Sequence, residues 1–278
     1  MNLKLSLVLL WSLLLIQSSQ AQSTTKFRTI VTTDGEVDDM DSFIRLLLYS
    51  NELNIVGMVY SSSEFHYAGD GKGTMFTSNM PWAKGYGTRT HLRWLGTNWM
   101  QEFIDKYAAV YPHLLKHDKN YPSPSALKKR IHIGNIDFEG EMEHNTDGSD
   151  FIKRILLDQN PAPIYIQVWG GTNTIARALK SIEEEYRNKN EWKSVYKKVA
   201  DKLHVHIILD QDETYRNYVS KQWPDIHVTM NGSQFWTLAY PWQQMVPEPG
   251  RSTLDGPWFA EHIKLNHGAL AGAYFCWG

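Results

Sequence analysis

The chain of 278 residues contains a single cysteine, Cys276, so no disulfide can close within it. A reactive thiol is not expected either. Cys276 lies in the apolar run Ala271-Gly-Ala-Tyr-Phe-Cys276 and reads as a small buried hydrophobe. Any metal must therefore be held by oxygen or imidazole. An excess of one charge is also missing: 28 Lys+Arg against 30 Asp+Glu leave a formal net charge of -2. Proteins that neutralise a phosphate backbone carry a basic surplus, so nucleic acid is not expected as a partner. Beyond the N-terminal segment no apolar stretch approaches the roughly 20 residues of a membrane helix. The eleven histidines show no zinc-site spacing. His204 and His206 share one side of a strand but lack companion ligands, and read as strand histidines.

What the chain does have is a globular balance, 42% hydrophobic and 21% charged. It also has a heavy aromatic load of 11 Trp, 14 Tyr and 10 Phe. Most of these rings are expected in the core, although a protein so equipped can also stack on sugars. Met1 to Lys4 give a weakly basic start, Leu5 to Ile16 an apolar run, and Ser19-Gln20-Ala21 a small-residue cleavage site. Residues 1–21 are thus expected to be a signal peptide, and the mature protein to be secreted or periplasmic, free of the membrane once the signal is cleaved.

From there the pattern alternates. Phe27 to Thr33 reads as a strand, Asp39 to Ser50 as a helix and Asn54 to Tyr60 as a second, near-continuously apolar strand. Further helices are expected at Asp150 to Leu157, from about Thr174 to Tyr186, and from near Glu213. Further strands are expected at Ile164 to Trp169, Leu203 to Leu209 and Ile226 to Met230. Successive βα units with continuous apolar strands predict an α/β fold, doubly wound, with a mainly parallel sheet covered by helices on both faces. Residues 62–97, broken by Gly69, Gly71, Gly73, Pro81, Gly85 and Gly87, read as a long loop at a strand's C-terminal end, where such sheets bind ligands.

The chemistry concentrates at the end of the first strand. Asp34, Glu36, Asp38, Asp39 and Asp41 place five carboxylates in eight residues, which need caps, solvent or a cation to offset their repulsion. One carboxylate can cap the next helix, but one cap does not account for the rest. A hard divalent cation such as calcium gathers several oxygen ligands at such a turn. The spacing is not that of an EF-hand. An aspartyl-phosphatase nucleophile is missing too, because Thr32 stands two positions before Asp34.

The run Thr33-Asp34, then Asp38-Asp39, resembles the nucleoside hydrolase signature. The chain as a whole is more similar to the nucleoside hydrolase-like domain of the Sde182 cellulose-binding type. Arg45 to Ser50, His113 to His117, Gly148-Ser-Asp150, Val168 to Thr174, Asp210-Gln-Asp212 and the stretch from Pro257 to Gly268 carry that likeness over nearly all of residues 22–278. The resemblance implies that Asp34 and Asp39 are calcium ligands, and that Asp38 is the base activating a water for attack on an anomeric carbon. It further implies that the Gly-Gly-Thr-Asn turn after the strand Ile164 to Trp169 lends a main-chain carbonyl to the ion. Ungapped matching puts Asn173 in that place, whereas pairing the Thr-Asn dipeptides puts Thr172 there; Asn173 is preferred.

This chain departs from the hydrolases at three points. Gly35-Glu36 replaces Pro-Gly. Ser61-Ser-Ser-Glu64 replaces the Gly-Asn after the second strand, so ribose recognition is not implied. The last calcium ligand has no clear counterpart, with Asp255 only a stand-in, and the domain is expected to be truncated at its C-terminal end, so that calcium binding is weakened. The expected function is calcium-dependent hydrolysis of a glycosidic or N-glycosidic bond, on a small-molecule glycoside or glycan. The alternative is a carbohydrate-binding domain that keeps the fold without catalysis. His66, on the glycine-rich loop, is a further candidate acid, and Asp210 and Asp212 are candidates to line the pocket or to cap a helix.

Overall fold

Arg28–Thr33 (β1) is enclosed along its whole length, which only the centre of a doubly covered sheet requires of a six-residue run. Its neighbours Ile30 and Val31 project into different cores, as the two-residue period of a strand demands. The computed structural model describes residues 26–232 and 246–276. The expected signal peptide, residues 1–21, and Trp277 lie outside the described residues.

The remaining strands are β2 (Asn54–Tyr60), β3 (Ile131–Ile133), β4 (Ile164–Val168), β5 (Leu203–Ile208) and β6 (His227–Asn231). All pair in parallel, in the order β3-β2-β1-β4-β5-β6. The chain winds outward from β1 in one direction and from β4 in the other. The crevice where ligands bind in such sheets therefore lies beyond the ends of β1 and β4.

Helices cover both faces. One core packs β4 and β5 against α4 (Asp147–Leu157), α5 (Asn173–Tyr186) and α6 (Trp192–Lys202); Phe151, Ile175, Ile182, Val199 and Trp223 fill it. The other packs β1 and β2 against α1 (Val37–Leu48), α2 (Trp99–His117) and α3 (Pro124–Lys128). There Trp99 meets Phe43, Tyr60 and Phe103 edge-on at centroid distances of 5.2, 5.6 and 5.7 Å, an arrangement favoured by the ring quadrupoles.

Each expected strand and helix up to Tyr186 is present, with no end moved by more than three residues and Asn54–Tyr60 unchanged. Helix α4 starts three residues earlier than the apolar pattern suggests, because Thr146 and Ser149 form a capping box. The segment from Glu213 is a π turn, Tyr215–Val219, running into the short helix Ser220–Gln222. Cys276 is half-buried, and so is less enclosed than its apolar run suggests. Among the described residues no helix is long and apolar enough to cross a membrane.

The end of the sheet away from the crevice is closed by two buried cations on one carboxylate. Asp158 accepts from Arg28 Nη2 at 2.6 Å and from Lys202 Nζ at 2.5 Å. The cations are 8% and 3% exposed as residues, so their shared anion is what makes their burial tolerable.

Candidate functional site

The acidic turn leaves β1 at Asp34, inside the crevice. Gly35 takes φ of +82°, and a first side-chain carbon there would lie 2.9 Å from Trp99 Nε1. Both the backbone angle and the indole therefore require glycine at this turn. The turn is held by its own oxygens: Gly35 N donates to Thr33 Oγ1 at 3.1 Å and Glu36 N to Asp34 Oδ1 at 3.2 Å. Helix α1 follows at once, with Asp38 and Asp39 in its first turn, where the amide dipoles favour anions.

The three carboxylates differ in exposure. Asp34 and Asp39 are 3% and 6% exposed, whereas Asp38 is half-buried and opens toward solvent. Asp39 Oδ2 accepts from the Thr33 hydroxyl at 2.5 Å. Asp34 Oδ2 is enclosed without a hydrogen-bond partner among the described residues. His66 Nδ1 stands 3.5 Å from it, at ion-pair distance but without hydrogen-bond geometry.

Burial works to raise the pKa of Asp34, but the His66 charge and the neighbouring hydroxyl of Ser63 outweigh it and hold the carboxyl below its ordinary value. For His66 burial works downward, and Asp34 overcomes it to hold the imidazole above its ordinary value. Burial and the Asp34 charge push Asp38 up. Burial, Asp34 and Asp38 push Asp39 well up.

The turn after β4 leans on this cluster. Trp169 N donates to Thr32 O at 2.9 Å, and a side-chain carbon on Gly170 would fall 2.9 Å from Asp34 Cβ. Gly171 N donates to Ser62 O at 2.8 Å, which ties the ends of β4 and β2 together. Asn173 is the first residue of α5 and is fully buried. Its side-chain amide donates to Ser62 Oγ at 2.8 Å and to Asn135 O at 2.9 Å.

The N-terminus of α5 is closed by a residue from the turn after β5. Asp212 accepts from Asn173 N at 2.9 Å and Thr172 Oγ1 at 3.2 Å, and also from Thr214 N at 3.0 Å and Thr214 Oγ1 at 2.7 Å. It thus caps two segments at once. Asp210 accepts from Arg216 N at 3.1 Å, and burial, with the Asp212 charge, pushes it to about 6. Asp255 is engaged as the cap of Gly256–Phe259, accepting from Trp258 N at 2.9 Å. The C-terminal stretch returns to α1: Phe275 N donates to Asp41 Oδ1 at 2.9 Å, and the Asp41 carboxyl, raised chiefly by burial, sits at about 6.

The donor chemistry of the turn suits a hard cation. All its donors are oxygens, Asp34 offers an enclosed oxygen that no described residue hydrogen-bonds, and Asp38 and Asp39 are both pushed up by burial and by the Asp34 charge. Asp34, Asp38 and Asp39 are the side chains that would face such an ion. Among the described residues no three or more His, Cys, Asp or Glu side chains already stand in a metal-holding arrangement.

The sequence reading did not single out Glu64 or Glu139. Glu64 follows β2 and is 5% exposed; Glu139 lies in the loop after β3 and is half-buried. Each has an enclosed Oε2 with no hydrogen-bond partner among the described residues. They are 75 residues apart in the chain, on the segments that follow the paired strands β2 and β3, and burial, with the Glu139 charge, raises the Glu64 carboxyl. Residues 62–97 form a loop, as expected. It contains one 3-10 turn, Lys84–Tyr86, and folds back on itself through the bridges Tyr67 to Leu92 and Phe76 to Arg89.

The family model for the cellulose-binding Sde182, nucleoside hydrolase-like domain matches residues 28–277. A solved structure of a nucleoside hydrolase-related hypothetical protein from Saccharophagus degradans, one associated with carbohydrate metabolism, has a similar fold. The TM-score is 0.65 at 23% sequence identity, over 91% of this chain and 52% of that one. This chain therefore spans about half the length of that protein. No curated protein matches it.

Proposed function

The chain belongs to the cellulose-binding Sde182, nucleoside hydrolase-like domain family, and from that premise we propose that it hydrolyses a glycosidic or N-glycosidic bond outside the cytoplasm. The single observation behind this reading is the graded exposure of three carboxylates at one strand end. Asp34 and Asp39 are buried, while Asp38 is partly exposed. A base must reach both water and substrate, and Asp38 is the one that can.

Asp34 and Asp39 would hold calcium, joined by a main-chain carbonyl of the Thr172-Asn173 turn. When bound, the ion would orient a water and lower its pKa. Asp38 would take the proton from an attacking water as the water's oxygen bonds to the anomeric carbon; the bond from that carbon to the leaving group breaks, and the leaving group departs with the bonding pair and takes up a proton. Thr33 fixes the Asp39 carboxyl through its hydroxyl. Gly170 lets the β4 turn close on Asp34 and exclude bulk water from that side. Ser61, Ser62 and Ser63 are fully enclosed, so the end of β2 offers no side-chain amide to a ribose, and a glycan or other glycoside fits better than a nucleoside.

The family description favours a second reading, a domain that binds carbohydrate without cleaving it. One experiment separates the two. A panel of cello-oligosaccharides, aryl glycosides and nucleosides is incubated with the protein in calcium and in chelator, and reducing ends or free bases are counted. Calcium-dependent release from any glycoside supports hydrolysis. Binding of cello-oligosaccharides with no release from any compound supports the second reading and overturns the first.

A further inference from the structure

The approach of His66 to Asp34 differs from two other histidine–carboxylate contacts of the molecule. His132 Nδ1 meets Asp147 Oδ2 at 2.7 Å, and His144 Nδ1 meets Glu141 Oε1 at 2.9 Å. These are ordinary charge-assisted hydrogen-bond lengths, although one side chain of each pair is mostly exposed. His66 and Asp34 form the buried pair, with side chains 7% and 1% exposed. Burial is where a polar atom most needs a partner, yet His66 Nδ1 and Asp34 Oδ2 stand 3.5 Å apart. Neither atom has a hydrogen-bond partner among the described residues.

Both main chains hold this separation. Ser63 N donates to His66 O at 2.9 Å, and His66 N donates to Ser63 Oγ at 3.2 Å. The next residue, Tyr67, exchanges hydrogen bonds with Leu92 at 3.0 and 2.9 Å. The backbone that carries the imidazole is thus fixed on both sides. Asp34 is fixed as well: its Oδ1 accepts from Glu36 N at 3.2 Å, and a side-chain carbon on Gly170 would lie 2.9 Å from its Cβ. Oδ2 is the oxygen left over, and it is the one beside His66.

A buried nitrogen and a buried oxygen, both without partners and held at a fixed distance, match adjacent ligands of one metal ion. Bonds of about 2.0–2.2 Å to one ion set neighbouring ligand atoms roughly 2.8–3.5 Å apart, between a right angle and the tetrahedral angle. A direct hydrogen bond would draw the same atoms to about 2.7–2.9 Å. The observed 3.5 Å agrees with the first spacing and not with the second.

We propose that His66 Nδ1 is a ligand, beside Asp34 Oδ2, of the ion held at the acidic turn, and that this nitrogen moves the site's preference from calcium toward a transition-metal ion such as zinc. The inference rests on the cation reading given above and adds an imidazole to its oxygen donors. Calcium takes oxygen ligands and gains little from the ring, whereas zinc accepts mixed nitrogen and oxygen sets.

Zinc and calcium, each added alone to the full chain, test the assignment. With the histidine rings labelled with ¹⁵N, zinc should move one Nδ1 resonance to the position of a metal-bound imidazole nitrogen. That resonance should be missing from His66→Gln and should stay unmoved in Asp39→Ala. By calorimetry, His66→Gln should weaken zinc binding by more than the roughly tenfold that follows loss of a group merely supporting a ligand. Calcium binding should change by less than about threefold, since its ligands are oxygens. A His66 that only braced Asp34, or only served as an acid, would leave the ratio of the two affinities unchanged. Zinc bound at the turn with no shifted His66 nitrogen, or an unchanged ratio in His66→Gln, overturns the imidazole ligand and leaves the oxygen site standing. Failure of the wild type to bind either ion overturns both.

Discussion

Asp38→Ala is expected to reduce turnover by about 10²–10⁴-fold, the range that a positioned base contributes, with the fold intact. The side chain is half-buried, and its hydrogen bond is local: Asp38 Oδ1 accepts from Asp39 N at 3.0 Å. Removing it deletes one acid from the first turn of α1, a change of about 0.3–1 kcal/mol, so the melting temperature should barely move. Carbohydrate binding should persist within a few-fold, because binding needs no base. Steady-state kinetics on a glycoside that the wild type cleaves, beside equilibrium binding of the same compound, reads both quantities. Turnover at the wild-type rate would remove Asp38 from the role of base.

Gly171→Ala is expected to be the most damaging single methyl group near the site. Its Cβ would lie 2.2 Å from Asp212 Oδ2 and 2.5 Å from the Ser62 main-chain oxygen. Neither neighbour can yield freely. Asp212 is the shared cap of α5 and of the Thr214 turn, and Ser62 O holds the Gly171 N–H itself. Overpacking of this kind costs about 3 kcal/mol, or a fall in Tm on the order of 10 °C for a domain of this size. Gly85→Ala is the control, since among the described residues no atom lies within 4 Å of a carbon built there. Equal melting temperatures for the two variants would remove the close approach of the β4 turn from the account.

The fold was legible where burial leaves a strong trace in one dimension. β1, β2 and β4 read as strands because parallel strands covered on both sides are apolar runs. α1 and α5 read as helices because one face of each is apolar. β3 is three residues long and carries too little pattern to be seen. α2, although 19 residues long, contains Pro112 and follows directly on the glycine-rich loop. The acidic turn was legible because its carboxylates are neighbours in the chain. Glu64 and Glu139 were not, because nothing local marks either as buried. Asp212 illustrates the intermediate case: a capping role is readable from its setting, but the helix it caps, 39 residues earlier, is not.

The central claim is that Asp34 and Asp39 hold a divalent cation at the end of β1, and thermal unfolding tests it most directly. The account predicts that calcium raises the unfolding midpoint of the wild type relative to chelator, by mass action on the native state. At a hundredfold excess over Kd the gain is about 2.7 kcal/mol, and the rise should disappear in Asp39→Ala. A wild-type midpoint that calcium leaves unmoved, or a calcium shift of equal size in Asp39→Ala, would contradict the claim.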